Sequence, residues 1–274
     1  MKIRWGKVQG HLLKKVWGSE EWSVSAVSPY KSSFVDYSEK ELLTPKETTF
    51  LAKIIKTTAE LSLQLHPKMR GKGKDECWYI LEAQRDSKIY LDFLPGADIS
   101  SFYQEIEENT LVLEDYLITY TPQAGDFFYI PAGTIHAIGR NLKLLEIQRP
   151  LDITYRLYDW GRRERELHLE LAKSEIESKE KPNEIILSKE NILLEHPDFL
   201  IEEDDFENKK VMKKNYPAHR GKMIFIVKGE VEICVEGEKK MAKEGDVFFF
   251  SPLLDFHGDI ELISHKKSKI ISVY

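Results

Sequence analysis

Three short segments of the chain carry side chains that could bind a divalent metal ion together. Gln64 and His66 lie in LSLQLHP at 61–67, Glu76 precedes the apolar run CWYIL, and His136 follows the glycine of PAGTIH. Two imidazole nitrogens and two oxygens suit Zn²⁺ or a similar divalent ion, with one position left open for water or substrate. The spacing alone leaves an alternative open, because a buried histidine more commonly has an ordinary hydrogen-bond partner than a metal.

The elements that must position these donors have the pattern of β-strands. In LSLQLH, period-two alternation places Ser62, Gln64 and His66 on one face of a strand and the three leucines on the other. Polar residues on one face can also be merely solvated. Other short runs rich in β-branched and aromatic residues, separated by Gly, Pro or Asn, predict an all-β sandwich or barrel. These runs lie at 77–81, 126–131, 142–148 and 153–158.

Helical periodicity is weak and confined to two stretches. The first covers residues 99–108 and stops before Asn109. The second covers residues 164–178, and its apolar stripe would consist of Leu167, Leu171 and Ile176. We therefore expect only a few short helices in a chain dominated by strands.

An internal repeat indicates two domains. AGDFFYIPAGTIHAIG at 124–139 and EGDVFFFSPLLDFHGD at 244–259 both run from Gly-Asp through aromatic strand residues to a Pro and then a His. Upstream of the second copy, IFIVKGEVEICVEG predicts two strands joined at Gly229. The charged stretch KEKPNE at 179–184 is the best candidate boundary. The predicted parts are a catalytic metal-binding domain at 1–165, a helical and charged connector at 166–185, and a second, degenerate domain at 186–274.

Composition excludes several classes of protein. Forty Lys and Arg against 46 Asp and Glu give a formal charge of −6, which argues against binding to a nucleic-acid backbone. No apolar stretch approaches the about 18 residues of a membrane span, so we expect no membrane association. The N-terminal segment lacks the apolar run of a signal peptide, which predicts a cytoplasmic protein. Cys77 and Cys234 are too few and too far apart for a disulfide framework or a thiolate zinc cluster.

Most of the first 165 residues resemble a known family. The matching segments occur in that family's order: WGSEEWSVSA (17–26), KIIKTTAELSLQLHP (53–67), GKDECWYIL (73–81), GDFFYIPAGTIHAIG (125–139) and LEIQRPLDITYRLYDWGR (145–162). They resemble the type I mannose-6-phosphate isomerases (phosphomannose isomerases) of the short bacterial form, in the cupin superfamily. The resemblance implies a mainly β fold with two tandem cupin-type jelly-roll barrels and a few short helices.

The resemblance also implies an activity and a cofactor. The family interconverts mannose 6-phosphate and fructose 6-phosphate, which requires moving a proton between C1 and C2 through an enediol. Its zinc ligands match Gln64, His66, Glu76 and His136, the four residues that side-chain chemistry selects, so one Zn²⁺ per chain is implied. The partner is a small-molecule sugar phosphate. Whether the chain is a monomer or a homodimer stays open.

Six further residues match family positions near the substrate, and four of them have a simpler alternative. Arg156 could instead form a surface ion pair with Asp159, Lys74 could be a solvated loop residue, Glu146 could only orient a neighbour, and Trp22 could be a core residue. Ser62 is supported by its place on the face of the proposed ligands, whereas Lys53 has no such support. The resemblance implies catalytic roles for Arg156, Lys74 and Glu146, and substrate contacts for Lys53, Ser62 and Trp22.

The chain departs from the family pattern in places that bear on specificity. Arg149 and Leu151 stand where smaller or uncharged polar residues are expected, which leaves the metal ligands intact but bears on the choice of sugar. The second copy has His219 and His257 without a Gln-x-His strand or a following Glu, so we expect it to be metal-free and structural. The alternatives are an isomerase of another sugar phosphate and a non-catalytic sugar-phosphate-binding cupin.

Overall fold

The computed structural model describes residues 3–37, 40–45, 48–68, 73–177, 191–206, 211–214, 221–251 and 260–274. The predicted boundary at 179–184 lies outside these described residues, as do His219 and His257. The chain forms two compact units. We call residues 13–20 and 54–187 the central unit, and residues 1–12, 21–53 and 188–274 the terminal unit.

Strands dominate the described part of the chain, and the predicted mainly β fold with a few short helices is confirmed. In chain order the elements are β1 (Trp5–Gln9), β2 (His11–Lys15), β3 (Gly18–Val24), β4 (Ser33–Val35), β5 (Leu42–Leu43), β6 (Leu51–Thr57), β7 (Leu63–Leu65), β8 (Glu76–Ala83), β9 (Ile89–Phe93), α1 (Ile99–Glu108), β10 (Leu117–Tyr120), β11 (Phe127–Ile130), β12 (His136–Ile138), β13 (Leu142–Gln148), β14 (Tyr155–Tyr158), α2 (Leu169–Glu177), β15 (Ile192–Glu195), β16 (Leu200–Phe206), β17 (Val211–Lys214), β18 (Lys222–Lys228), β19 (Glu230–Val235), β20 (Glu238–Lys243), β21 (Val247–Phe250), β22 (Ile260–Ser264) and β23 (Ser268–Val273).

The central unit is built on two sheets. One has the strand order β10-β9-β12-β7-β14, and the other has the order β11-β8-β13-β6-β3-β2, of which β6, β3 and β2 belong to the central unit only in part. The alternation in β7 works as predicted, since Leu63 and Leu65 are fully buried in an apolar core with Phe102 and Leu157. The polar residues between those leucines consequently lie on the opposite face, where the second sheet contributes Glu76 at the start of β8.

Both predicted helices are present, but the second buries a different face. Helix α1 begins after Asp98, whose carboxylate accepts hydrogen bonds from the backbone of Ser100 and Ser101, and it ends at the left-handed Asn109. In α2 the predicted stripe is wrong: Leu167 and Leu171 are 39% and 51% exposed. The helix starts only at Leu169, and the buried side is formed by Leu169, Ala172 and Ile176 at spacings of three and four.

The terminal unit contains an eight-stranded sheet, β15-β16-β23-β18-β21-β1-β4-β5, and a four-stranded sheet, β17-β22-β19-β20. The predicted turn between β18 and β19 is present at Gly229, where φ is +86° and a Cβ would lie 2.3 Å from Ser268 Oγ. Strand β1 pairs with β21 and β4. The contiguous division predicted from the sequence differs from the compact units, because β1 comes from the first residues of the chain.

Candidate active site

The two sheets of the central unit bring the predicted metal ligands into one buried cluster. Gln64 in β7 lies opposite His136 in β12, and His66 follows β7 directly. Glu76 comes from the other sheet, at the start of β8. The candidate ligand atoms of His66, Glu76 and His136 all lie within 4.8 Å of one another. Each of these three side chains is at most 1% exposed, so solvent contributes little to the cluster.

Hydrogen bonds to backbone carbonyls fix the orientation of both imidazoles. His66 Nδ1 lies 2.9 Å from the carbonyl oxygen of Ile153, and His136 Nδ1 lies 2.9 Å from that of Thr134. A carbonyl oxygen only accepts, so each Nδ1 carries the proton and donates it. Each Nε2 of a neutral ring therefore presents its lone pair to the inside of the cluster. Metal-binding histidines commonly donate their other ring N–H to a backbone carbonyl in this way.

The lone pairs converge on Glu76. Its Oε2 lies 3.1 Å from His66 Nε2, and its Oε1 lies 3.4 Å from His136 Nε2. Among the described residues, neither carboxylate oxygen accepts a hydrogen bond of normal geometry, although both are buried. Two imidazole lone pairs and a carboxylate repel one another unless a cation lies among them, and the Lys74 ammonium lies beside Glu76 Oε2 and His66 Nε2 only. The donor set therefore fits a divalent metal ion.

Gln64 lies beside this set with its amide nitrogen turned inward. Its Nε2 is 3.3 Å from His136 Nε2, and its Oε1 accepts a hydrogen bond of 3.4 Å from Ser62 Oγ. Binding of an ion through the amide oxygen requires the amide group to rotate by half a turn about its last torsion. The Ser62 hydroxyl can serve either orientation, because a hydroxyl both donates and accepts.

The electrostatics of the cluster favour an ionised carboxylate and neutral imidazoles. Burial lowers the pKa of His66 to about 4, assisted by the Lys74 ammonium. Burial likewise lowers the pKa of His136. For Glu76, burial alone would raise the pKa, but the Lys74 ammonium holds it well below its usual range. These are the protonation states that metal binding requires.

Lys74 is part of the cluster rather than a solvated loop residue. It is 6% exposed, and its Nζ lies 3.1 Å from both Glu76 Oε2 and His66 Nε2. A single ammonium thus supplies positive charge to the carboxylate and a donor to an imidazole lone pair.

Arg156 extends the site along the neighbouring strand. It lies opposite Gln64 in the pairing of β14 with β7. Its Nε donates to Ser62 Oγ at 3.3 Å, and its Nη1 donates to the carbonyl oxygen of Glu166 at 2.8 Å. Burial is the largest cause that lowers the Arg156 pKa. Its guanidinium is therefore oriented by the protein before any ligand arrives.

The alternative ion pair of Arg156 with Asp159 does not form. Asp159 is nearly fully buried and is bound instead by Arg162 and Arg165. Arg162 also donates to the carbonyl oxygen of Glu60 at 2.7 Å. Arg162 and Arg165 neutralise Asp159, and the Arg156 guanidinium bonds to Ser62 and Glu166 instead.

Glu146 lies in β13, the strand that pairs with β8. In the pairing of β13 with β8, Glu146 is opposite Trp78 and Gln148 is opposite Glu76. Residues paired in this way share a sheet face, so Glu146 lies on the face of Glu76. The Trp78 ring also contacts the ring of His136 at 5.4 Å. Glu146 is 5% exposed and stays a predicted proton carrier.

The remaining two predicted substrate contacts belong to the terminal unit. Trp22 and Lys53 contact each other there, with Lys53 Nζ 4.8 Å from the centre of the indole ring. Trp22 is 4% exposed and its ring packs edge-on against Tyr30. Their roles toward a substrate stay predictions.

Several residues of the site were not identified from the sequence. Thr134 and Ile153 orient the imidazoles through their backbone carbonyls, which every residue type has. Glu166 holds Arg156 in the same way, and His168 Nδ1 accepts a hydrogen bond of 3.2 Å from the Arg156 backbone nitrogen. The sequence offered one signal for these contacts, since Thr154 shares strand periodicity with Arg156. In the structure, Thr154 Oγ1 lies 3.3 Å from His66 Nδ1.

Comparison of the sequence with known proteins identifies relatives of one kind. No family model matches the chain. A mannose-6-phosphate isomerase of Streptococcus mutans is 29% identical over 312 aligned positions, which cover 94% of this chain and 96% of that protein. The mannose-6-phosphate isomerase ManA of Bacillus subtilis is 38% identical over 145 residues, which cover 46% of this chain and 44% of that protein.

Comparison with solved structures shows the same fold along the whole chain. The mannose 6-phosphate isomerase from Bacillus subtilis aligns with a TM-score of 0.79 at 20% identity, covering 98% of this chain and 99% of that one. A mutant phosphomannose isomerase from Salmonella typhimurium aligns with a TM-score of 0.77 at 12% identity, covering 100% and 99%. The chain is thus similar in sequence, over nearly its whole length, to a mannose-6-phosphate isomerase, and similar in fold to solved mannose-6-phosphate isomerases, as the motifs in its first 165 residues predicted.

Proposed function

We propose that the chain is a metal-dependent mannose-6-phosphate isomerase, an aldose-ketose isomerase that takes a small sugar phosphate as its substrate. The observation that carries the proposal is the buried cluster of His66, Glu76 and His136, flanked by Lys74 and Arg156, in a chain related along its length to such isomerases. In this proposal, the two barrels predicted from the sequence are of the cupin type. The proposed location is the cytoplasm, since charged sugar phosphates do not cross a lipid bilayer unaided.

The proposed cofactor is one Zn²⁺ per chain. His66, Glu76 and His136 would hold it through atoms that already face one another, and Gln64 would join them through its amide oxygen. When bound, the ion supplies a Lewis acid that polarises the carbonyl or hydroxyl oxygens of the sugar. The carbonyls of Ile153 and Thr134 keep both imidazoles in the tautomer that ligation needs.

Proton transfer between C1 and C2 of the sugar needs a base. Glu146 is the proposed carboxylate for this step, because it is buried on the sheet face that carries Glu76. Lys74 is proposed to donate a hydrogen bond from Nζ to a sugar oxygen, which stabilises negative charge as the enediol forms. Both side chains lie in the central unit, on β8 and β13 or just before them.

Arg156 is proposed to act on the same developing charge. A guanidinium has five N–H groups. Among the described residues, the side chain uses Nε for Ser62 and Nη1 for Glu166, so three N–H groups stay available to a ligand. Planar paired donors suit an enediolate or a phosphate. Lys53, Ser62 and Trp22 are the proposed phosphate and sugar contacts.

The test is an isomerase assay on the full chain, with fructose 6-phosphate formation coupled to a reporter enzyme. Activity should disappear after chelation and return with added Zn²⁺, and His136→Ala should lose both metal and activity because a buried ligand is removed. The matched control is His265→Ala, which removes an exposed histidine of the terminal unit and should behave as wild type.

Three results would contradict the proposal in different ways. Full activity after thorough chelation, with no metal found by elemental analysis, would show that the reaction does not depend on a metal. Turnover of a different sugar phosphate but not of mannose 6-phosphate would contradict the proposed substrate and leave the proposed metal site intact. Binding of mannose 6-phosphate without turnover by the metal-loaded protein would make the chain a binding protein.

A further inference from the structure

A second group of charged residues ties together the turns that lead into the metal ligands. Asp75 precedes Glu76, and its Oδ2 lies 3.1 Å from Nη1 of Arg149 at the end of β13. The same Nη1 donates to the carbonyl oxygen of Gly73 at 3.1 Å. The Arg149 backbone nitrogen also donates to the carbonyl oxygen of Asp75 at 3.1 Å. None of these groups is among the proposed ligands or substrate contacts.

The other carboxylate oxygen of Asp75 reaches the turn before His136. Asp75 Oδ1 accepts a hydrogen bond of 2.9 Å from the backbone nitrogen of Ala132. The next residue of that turn, Gly133, donates its backbone N–H to the carbonyl oxygen of His66 at 2.6 Å. One short network thus connects the backbone beside Glu76, the turn leading to His136, and the backbone of His66.

Close packing makes this network sensitive to displacement. A Cβ on Gly73 would lie 2.1 Å from the Cβ of Ala132 and 3.2 Å from the carbonyl oxygen of Pro67. The two turns therefore touch without spare room, and a shift of one is transmitted to the other. The Asp75 and Arg149 side chains are each only 14% exposed, so water replaces their contacts poorly.

We propose that Asp75 and Arg149 are positioning residues of the metal site, which set its affinity by locking the Glu76 strand to the turn that carries His136. The inference rests on the proposed metal at His66, Glu76 and His136. Arg149 neutralises the charge that Asp75 would otherwise add one residue from a ligand. It also holds the Asp75 carboxylate in the orientation that Ala132 requires.

The experiment measures the Zn²⁺ dissociation constant of the full chain by competition with a metal indicator. The variants are Arg149→Met, which keeps apolar bulk, Asp75→Asn, which keeps an acceptor for Ala132, and the double variant. Outer-shell partners of metal ligands typically contribute about 10- to 100-fold in affinity, so each single variant should raise the constant by a factor in that range. The double variant should lose less than the product of the two, because both belong to one interaction.

The control comes from the same two strands. Lys143 of β13 pairs with Glu82 of β8 at 2.8 Å, at the end of the strand pair away from the ligands. Exposed pairs of this kind contribute little, so Lys143→Met should leave the dissociation constant within about twofold. The unfolding temperature of each metal-free variant separates loss of positioning from loss of the fold.

Arg149→Lys covers the case in which Arg149→Met does not fold. Lysine keeps the charge but cannot reproduce the fixed fork that serves both Asp75 and Gly73, so weaker Zn²⁺ binding at near-normal stability is expected. Wild-type affinity in this variant and in Asp75→Asn would overturn the positioning role while leaving the proposed function intact. A wild-type chain that binds no Zn²⁺ would overturn the proposed function, and the positioning role with it.

Discussion

Replacement of Arg156 separates a role in the chemistry from a role in binding alone. The three N–H groups of its guanidinium that the described residues leave available can face charge that develops on the sugar. Loss of one preorganised donor to a developing oxyanion costs about 3–4 kcal/mol, or roughly a hundred- to a thousandfold in kcat. We expect a loss of this size in Arg156→Met, with a modest change in KM. Arg156→Lys should recover little, because an ammonium lacks the planar fork.

The structural cost of the same change is small enough for the variant to fold. Arg156→Met removes hydrogen bonds to Ser62 Oγ and to the carbonyl oxygen of Glu166. Such bonds contribute on the order of 1 kcal/mol each, and a half-exposed donor contributes less because water replaces it. A domain stable by about 5–15 kcal/mol tolerates this loss.

The assay compares kcat and KM for mannose 6-phosphate at equal metal content. Arg140→Met is the control, since Arg140 is an exposed arginine of the central unit that pairs with Glu60 at 3.3 Å. A phosphate clamp that acts equally in ground and transition states would raise KM and leave kcat unchanged. Near-normal kcat in Arg156→Met with its metal in place would refute the reasoning and direct attention to Lys74 and Glu146.

Three further outcomes are expected. Because the His66 pKa is lowered to about 4, its imidazole stays unprotonated as the pH falls from 7 to 5.5. Calorimetry should therefore show a smaller rise in the Zn²⁺ dissociation constant than the about tenfold expected for a histidine with an ordinary pKa near 6.5. A full tenfold rise would contradict the lowered pKa. Glu146→Gln should reduce kcat by about 10²- to 10⁴-fold at unchanged metal content if Glu146 carries the proton, whereas an unaffected kcat would leave Lys74 as the candidate. Phe102→Ala should lower the free energy of unfolding in urea by about 3–5 kcal/mol because the ring is fully buried, and a loss below about 1 kcal/mol would show that the α1 core collapses around the gap.

The ligand strand was predictable because its pattern is local. Period-two alternation alone separated Ser62, Gln64 and His66 from the buried Leu63 and Leu65. The structure places these polar residues beside His136, Glu76 and Arg156. Helix α1 was predictable for a similar reason, since Asp98 and Asn109 are favourable residues at its two ends.

Contacts between distant segments were not predictable from one sequence. Strand β1 pairs with β21 across more than 230 residues, and no local pattern specifies that register. Asp159 is adjacent in sequence to several arginines, and only the tertiary structure shows that Arg162 and Arg165 bind it and Arg156 does not. The orientation of both imidazoles depends on backbone carbonyls, which every residue has and which the sequence therefore does not reveal.

The position of Lys74 links the charge balance of the metal site to the substrate. Its ammonium lies 3.1 Å from Glu76 Oε2 and helps to keep that carboxylate ionised. Lys74 cannot keep this contact unchanged once a divalent ion shares the same oxygen, because like charges at such distances repel strongly in a buried site. In the proposed function, movement away from Glu76 would free its N–H groups for the oxygens of the sugar substrate. In the proposed function, a single lysine would therefore balance the charge of Glu76 and also serve the substrate.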